Sequence, residues 1–80
     1  MKMIEKKCYC EYFRSVLNGE KRFELRKDDD NVQVGDILFL REWNPDLMAY
    51  TGLSTRVVVR YVLRDVPQFG LMRGYCIIGF

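Results

Sequence analysis

Apolar residues recur along this chain with two different periods. Between Cys10 and Leu17, the residues Tyr12, Phe13, Val16 and Leu17 fall at helical spacing, and Asn18-Gly19 follows, a pair that tolerates the left-handed conformation at which helices stop. The pattern predicts one short amphipathic helix, preceded by a first strand over Met3 to Tyr9. From Arg22 to Lys27 the period changes to two, because charged residues alternate with Phe23 and Leu25. That alternation predicts a strand with Phe23 and Leu25 on its buried face. The run Asp28-Asp29-Asp30-Asn31 ends it. This run lacks the spaced ligands and terminal glutamate of a calcium loop, so it reads as a turn.

Val34-Gly35-Asp36 then turns the chain into Ile37 to Leu40, an uninterrupted apolar run typical of a buried strand, which continues through Arg41, Glu42 and Trp43. Asn44-Pro45-Asp46 closes that strand, and Asp46 to Gly52 reads as a loop or hairpin tip. Thr55 to Arg64 predicts one long strand with Val57, Val59, Tyr61 and Leu63 on one face. Arg56, Val58, Arg60, Val62 and Arg64 fall on the other. A turn at Val66 to Gly70 leads to a closing strand over Gly74 to Phe80. There is no repeat, linker or low-complexity segment in the 80 residues, so residues 1–80 are expected to form one domain. About five strands and one short early helix predict an α+β domain built on a small closed or nearly closed β-barrel.

Composition narrows the function classes. With 49% hydrophobic and 14% aromatic residues the chain is rich enough to build a core, which excludes a disordered polyelectrolyte. A net charge of +2 makes it no polycation, and any phosphate binding must come from a local patch. No run is apolar and long enough for a signal peptide or a membrane span, which leads to the expectation of a cytoplasmic protein. Three cysteines are too few and odd in number for a disulfide framework, and reduced thiols are expected. The absence of histidine removes Ser-His and Cys-His catalysis and leaves Cys8-x-Cys10 with Cys76 a poor metal site. Neither a metal nor a cofactor is expected.

The densest charge lies in Gly19-Glu20-Lys21-Arg22-Phe23-Glu24-Leu25-Arg26-Lys27. Glu24 and Arg26 stand two apart and share a strand face, and Lys21 at the helix–strand junction can swing toward them. A carboxylate flanked by cations can accept from a base amino group while its neighbours hold a phosphate or a carbonyl. Charge pattern by itself favours a solvated cluster of ion pairs on a strand edge, worth about 0–1 kcal/mol per pair. Arg41 and Trp43 leave the buried strand just before its turn, where a tryptophan can stack a base or pack against the rim. Arg56, Arg60 and Arg64 form a stripe that fits either a phosphate track or a solvated sheet face.

The order of the helix, the pattern Gly19-x-Lys21-x-x-Glu24-x-Arg26, and Val34-Gly35-Asp36 before an apolar strand resembles the ASCH (activating signal cointegrator homology) domains, members of the PUA-like barrels. The segments EYFRSVLNGEKRFELRK, VGDILFLREWNP, YTG and GLMRGYCIIGF are similar, in order, to small stand-alone phage and prophage proteins of this type. The resemblance implies a barrel with a cleft beside the helix–strand junction and a role connected with RNA. Its expectation is a binding module that takes RNA or a nucleotide-like ligand through Lys21, Glu24, Arg26 and Lys27, with Arg41 and Trp43 as further contacts. Some ASCH proteins are amidohydrolases that deacylate a modified cytidine with a lysine and, three residues later, a threonine nucleophile. Here Glu24 stands where that threonine would be, and Gly19 to Asn44 contains no serine or threonine. An amidohydrolase-like enzyme is therefore the second reading, and a phage or prophage protein that binds a host protein is the third.

Overall fold

In the computed structural model, which describes residues 1–80, the first strand pairs in parallel with the third, and this sets the architecture. The elements in chain order are β1 (Met3–Tyr9), α1 (Cys10–Leu17), β2 (Phe23–Lys27), β3 (Ile37–Asn44), β4 (Ala49–Val58), β5 (Tyr61–Leu63), a single 3-10 turn over Pro67–Phe69, and β6 (Tyr75–Gly79). Parallel neighbours cannot be joined by a tight turn. The chain leaves β1 directly into α1, passes through β2, and only then returns as β3 beside β1, with Met3 opposite Ile37 and Tyr9 opposite Trp43. Strand β4 folds back antiparallel on β3, completing a three-stranded sheet in the order β1-β3-β4. A second sheet has the order β2-β6-β5, all antiparallel.

Six strands therefore form two sheets, and no closed barrel results. On one side the sheets are continuous in sequence. The predicted strand Thr55 to Arg64 breaks at Val59-Arg60, where the Val59 amide donates to the Asp36 carbonyl of the first sheet and the Arg60 amide donates to the Gly79 carbonyl of the second, each at 2.8 Å. The break resets the alternation. Val59 is buried, but Tyr61 and Leu63 beyond the corner are exposed, while Val62 and Arg64 turn inward. On the opposite side, edge strands β1 and β2 share no ladder, and the chain between them, Cys10 to Arg22, forms the helix and its exit turn. The hairpin tip is also shorter than the sequence indicates. Asn44 accepts the amides of Asp46 and Leu47, at 3.0 and 3.2 Å, and closes the turn early enough for β4 to begin at Ala49.

The core lies between the sheets and beneath α1. Its buried members are Ile4, Cys8, Phe13, Val16, Val32, Leu38, Leu40, Val59, Cys76 and Ile78. The helix contributes Phe13 and Val16, one turn apart, and removing a side chain such as Phe13 from a site this closed costs about 3–5 kcal/mol. The acidic run after β2 is fastened by cations: Asp28 takes a two-pronged contact from Arg64, at 2.6 and 3.1 Å, and Asp30 pairs with Lys6. Arg64 is thus withdrawn from the arginine stripe expected along one strand. Arg56 lies over the Phe39 ring instead. No helix is long and apolar enough to cross a membrane.

Candidate functional site

The cleft opens where the two sheets fail to join. It is a cavity of about 410 Å³ lined by Lys7, Cys8 and Tyr9 from β1, Tyr12 from α1, Lys21 from the exit turn, and Phe23, Glu24, Leu25 and Arg26 from β2. Its position follows from local chain geometry. The helix stops at Asn18, whose amide still bonds the Arg14 carbonyl, and Gly19 takes the left-handed φ of 84° that a side chain would resist. The Lys21 amide then reaches back to the Ser15 carbonyl at 2.9 Å, so Lys21 is held against the end of the helix and aimed toward β2.

Strand β2 has its faces reversed relative to the sequence expectation. Phe23 and Leu25 are exposed and Glu24 is buried, with only 5% of its surface accessible. The register explains the reversal: Glu24 stands opposite the buried Ile78 and Arg26 opposite the buried Cys76, so both share the core-facing side of the second sheet. Phe23 stands opposite Gly79, and Leu25 opposite Ile77, on the outer side.

A carboxylate in this position requires partners, and it has them. Lys21 Nζ donates to Glu24 Oε1 at 2.9 Å and also to the Phe23 carbonyl at 2.8 Å. Arg26 places Nε and Nη2 on Glu24 Oε2, at 3.1 and 3.0 Å, and Nη2 bonds the Lys7 carbonyl across the gap between the strands. Arg26 is therefore the one side chain that stitches β2 to β1. Oε2 is filled by the guanidinium, whereas Oε1 has one partner and retains acceptor capacity toward the cleft. With three cations and one carboxylate in its lining, the cleft is electropositive. Its walls are aromatic: Tyr9, Tyr12 and Phe23 are each about half exposed, with Leu25 at the rim.

Sequence-predicted residues thus divide into two groups. Lys21, Glu24 and Arg26 converge on one cleft, whereas Lys27 is exposed beyond it, and Arg41 and Trp43 do not line it. Arg41 pairs with Glu5 and stacks on Tyr50, at 3.1 and 3.8 Å. Trp43 meets Tyr50 edge to face and carries Lys7 over its ring at 3.8 Å, so it reaches the cleft only through that lysine. Lys7, Tyr9 and Tyr12 were not singled out from the sequence. For Tyr12 the available signal was the pairing of Phe13 with Val16 as the buried helix positions, which turns the neighbouring residue off the core. Cys8 sits at the back of the cleft, buried, and its thiol is pushed up to about 11 by burial and by the nearby Glu24 carboxylate. It remains a thiol at neutral pH and is no nucleophile.

The structure therefore defines a small two-sheet α+β domain with an open, electropositive, aromatic-walled cleft between the edges of its sheets. Residues 4–80 match the family described as a domain of unknown function, DUF3850, and the chain belongs to that family. It is also 50% identical over 56 residues to the uncharacterized 12.9 kDa protein in the GpA 3' region of Escherichia phage P2. That match takes in 70% of this chain and 51% of the phage protein, so the chain spans about half the length of this curated relative.

Proposed function

We propose that the chain is a binding module of the ASCH type that takes RNA or a nucleotide-like ligand in the Lys21/Glu24/Arg26 cleft, its two sheets being an opened form of the PUA-like barrel. The observation that carries the reading is Glu24, a nearly buried carboxylate held between two cations at the base of an aromatic-walled opening. A planar heterocycle satisfies each part of that environment. Its ring stacks on Tyr12 or Phe23, an exocyclic amino group donates to Oε1, and the surrounding cations favour the accompanying phosphate. The amidohydrolase reading has less support, because the cleft lining contains no serine or threonine hydroxyl and Lys21 already donates to two acceptors.

Fluorescence anisotropy with a labelled single-stranded RNA decanucleotide, at two salt concentrations, tests the proposal. Weak binding that falls with salt is expected, since only a local patch displaces counterions. Phe23→Ala is expected to weaken it about 5- to 150-fold, the range of one lost stacking contact. No binding by the unaltered protein to RNA or to any ribonucleotide would refute the reading.

A further inference from the structure

A second cavity, of about 190 Å³, lies on the other side of Lys21. Lys21, Arg22 and Arg60 supply its polar lining, Val16, Val57, Val58 and Phe80 its apolar floor, and no acidic side chain lines it. Elsewhere the chain neutralises its inward-turned cations with care: Lys6, Lys21, Arg26, Arg41 and Arg64 all stand in ion pairs. Arg22 and Arg60 stand in none, as do the other exposed cations, and what sets these two apart is that they border one hollow together. Neither guanidinium has an Asp or Glu carboxylate within 4 Å, and both are exposed. Two arginines from distant parts of the sequence thus border one hollow that no acidic side chain lines, and an anion entering it meets two guanidinium forks.

The backbone that carries them is well tied. Phe80 donates its amide to the Arg22 carbonyl at 3.0 Å, and Arg60 donates to the Gly79 carbonyl at 2.8 Å, so the end of β6 anchors both arginine positions. The Arg22 guanidinium also lies over the helix exit, with Nη1 3.9 Å from the place a Cβ would take on Gly19. Lys21 is the wall common to the two cavities: its ammonium is turned to Glu24 in the larger one, and the residue borders the smaller.

Building on the binding function proposed above, we infer that Arg22 and Arg60 form the phosphate subsite of the nucleotide whose base enters the aromatic cleft, with Lys21 standing between base and phosphate. A guanidinium suits this task because it presents a planar fork of donors to phosphate oxygens. The contact reads charge rather than base identity.

The test separates the subsite from the cleft. Titration of each of the four ribonucleosides and its 5'-monophosphate, followed by amide chemical shifts, compares binding with and without the phosphate, and inorganic phosphate at matched ionic strength provides the anion alone. The subsite predicts that inorganic phosphate moves the Gly19, Arg22 and Arg60 amides saturably, and that a monophosphate binds at least about fivefold more tightly than its nucleoside. Both effects are expected to vanish in Arg22→Ala/Arg60→Ala and to survive in Arg73→Ala, which removes an exposed arginine bordering neither cavity. With the RNA decanucleotide, the double variant should bind more weakly and lower the salt slope by about one. If nucleosides and nucleotides bind equally, and inorganic phosphate leaves these amides unmoved, the subsite is wrong while the base cleft stands. If inorganic phosphate saturates the arginines but no nucleoside or nucleotide reaches the cleft, the anion site stands and its assignment to a nucleotide falls with the cleft. Undiminished phosphate effects in the double variant would make the arginines mere covers of the apolar floor and overturn the inference.

Discussion

Two acidic side chains are buried in this domain, Glu24 and Asp36, and they are held in opposite ways. Asp36 is satisfied by backbone: its Oδ1 accepts the Lys2 amide at 3.0 Å and its Oδ2 the Gln33 amide at 2.9 Å. Those donors precede β1 and β3, at the end where the two parallel strands begin side by side, and cannot leave without opening it. Glu24 is satisfied by the ends of two long side chains, Lys21 and Arg26, which have other acceptors within reach. A carboxylate tied to backbone amides is part of the fold, whereas one tied to movable cations beside an opening can exchange partners with a ligand. The same chemical group thus serves as a clamp in one place and as a site in the other.

Substitution should separate the two roles. The largest effect on the fold is expected from Asp36→Ala, which strands two amide donors at the closure of the first sheet and should lower the melting temperature by roughly 10 °C or more, read by circular dichroism. Glu24→Gln, by contrast, keeps the side-chain volume and one acceptor oxygen. It should lower the melting temperature less than Asp36→Ala does, because Lys21 and Arg26 keep the Phe23 and Lys7 carbonyls as acceptors, while weakening ligand binding by about tenfold, the scale of one charge-assisted hydrogen bond. If the two substitutions exchanged these outcomes, the division between clamp and site would be wrong.

Acid provides a subtler test. The two backbone donors hold the Asp36 carboxyl below the usual carboxylate range, so the group is more acidic in the folded than in the unfolded chain. Its contribution is complete above the unfolded value of about 3.9 and is lost as the pH falls through that value toward the lower folded one. Asp30, lowered by its hydrogen bond to Lys6, follows the same sign. The melting temperature should therefore fall steeply below about pH 4, and Asp36→Asn should flatten that limb. An unchanged acid limb in the variant would show that Asp36 is not the clamp.

The smallest effect concerns the thiols. With Cys8 buried and its thiol pushed up to about 11, iodoacetamide at pH 8 should modify the half-exposed Cys10 first and leave Cys8 untouched in the folded protein, as read by peptide mass spectrometry. Early modification of Cys8 would mean that the back of the cleft opens far more than its geometry indicates.

Much of this molecule was legible in its residues. The helix from Cys10 to Leu17, the first strand and the closing strand fall where periodicity puts them, because spacing at 3.6 or 2 and a glycine stop are local properties. The gathering of Lys21, Glu24 and Arg26 was also legible, since it needs only strand alternation and a short turn. Which face of β2 lies inward was not. Alternation divides Phe23 and Leu25 from Glu24 and Arg26, but it is symmetric between the two faces, and only pairing with Ile78 and Cys76 on β6 breaks the symmetry. The corner at Val59-Arg60 was hidden for a similar reason. A strand that changes sheets keeps an unbroken apolar alternation in sequence, and its break is set by acceptors at Asp36 and Gly79, which lie far away along the chain. The open side between β1 and β2, and with it the cleft, exists because β1 pairs with β3 and β2 with β6, leaving Arg26 to bridge the gap. Sequence by itself determined the helix, the first, second, third and closing strands and the charged triad; long-range pairing decided where the long strand broke, which side of each strand became core and where the two sheets were left apart.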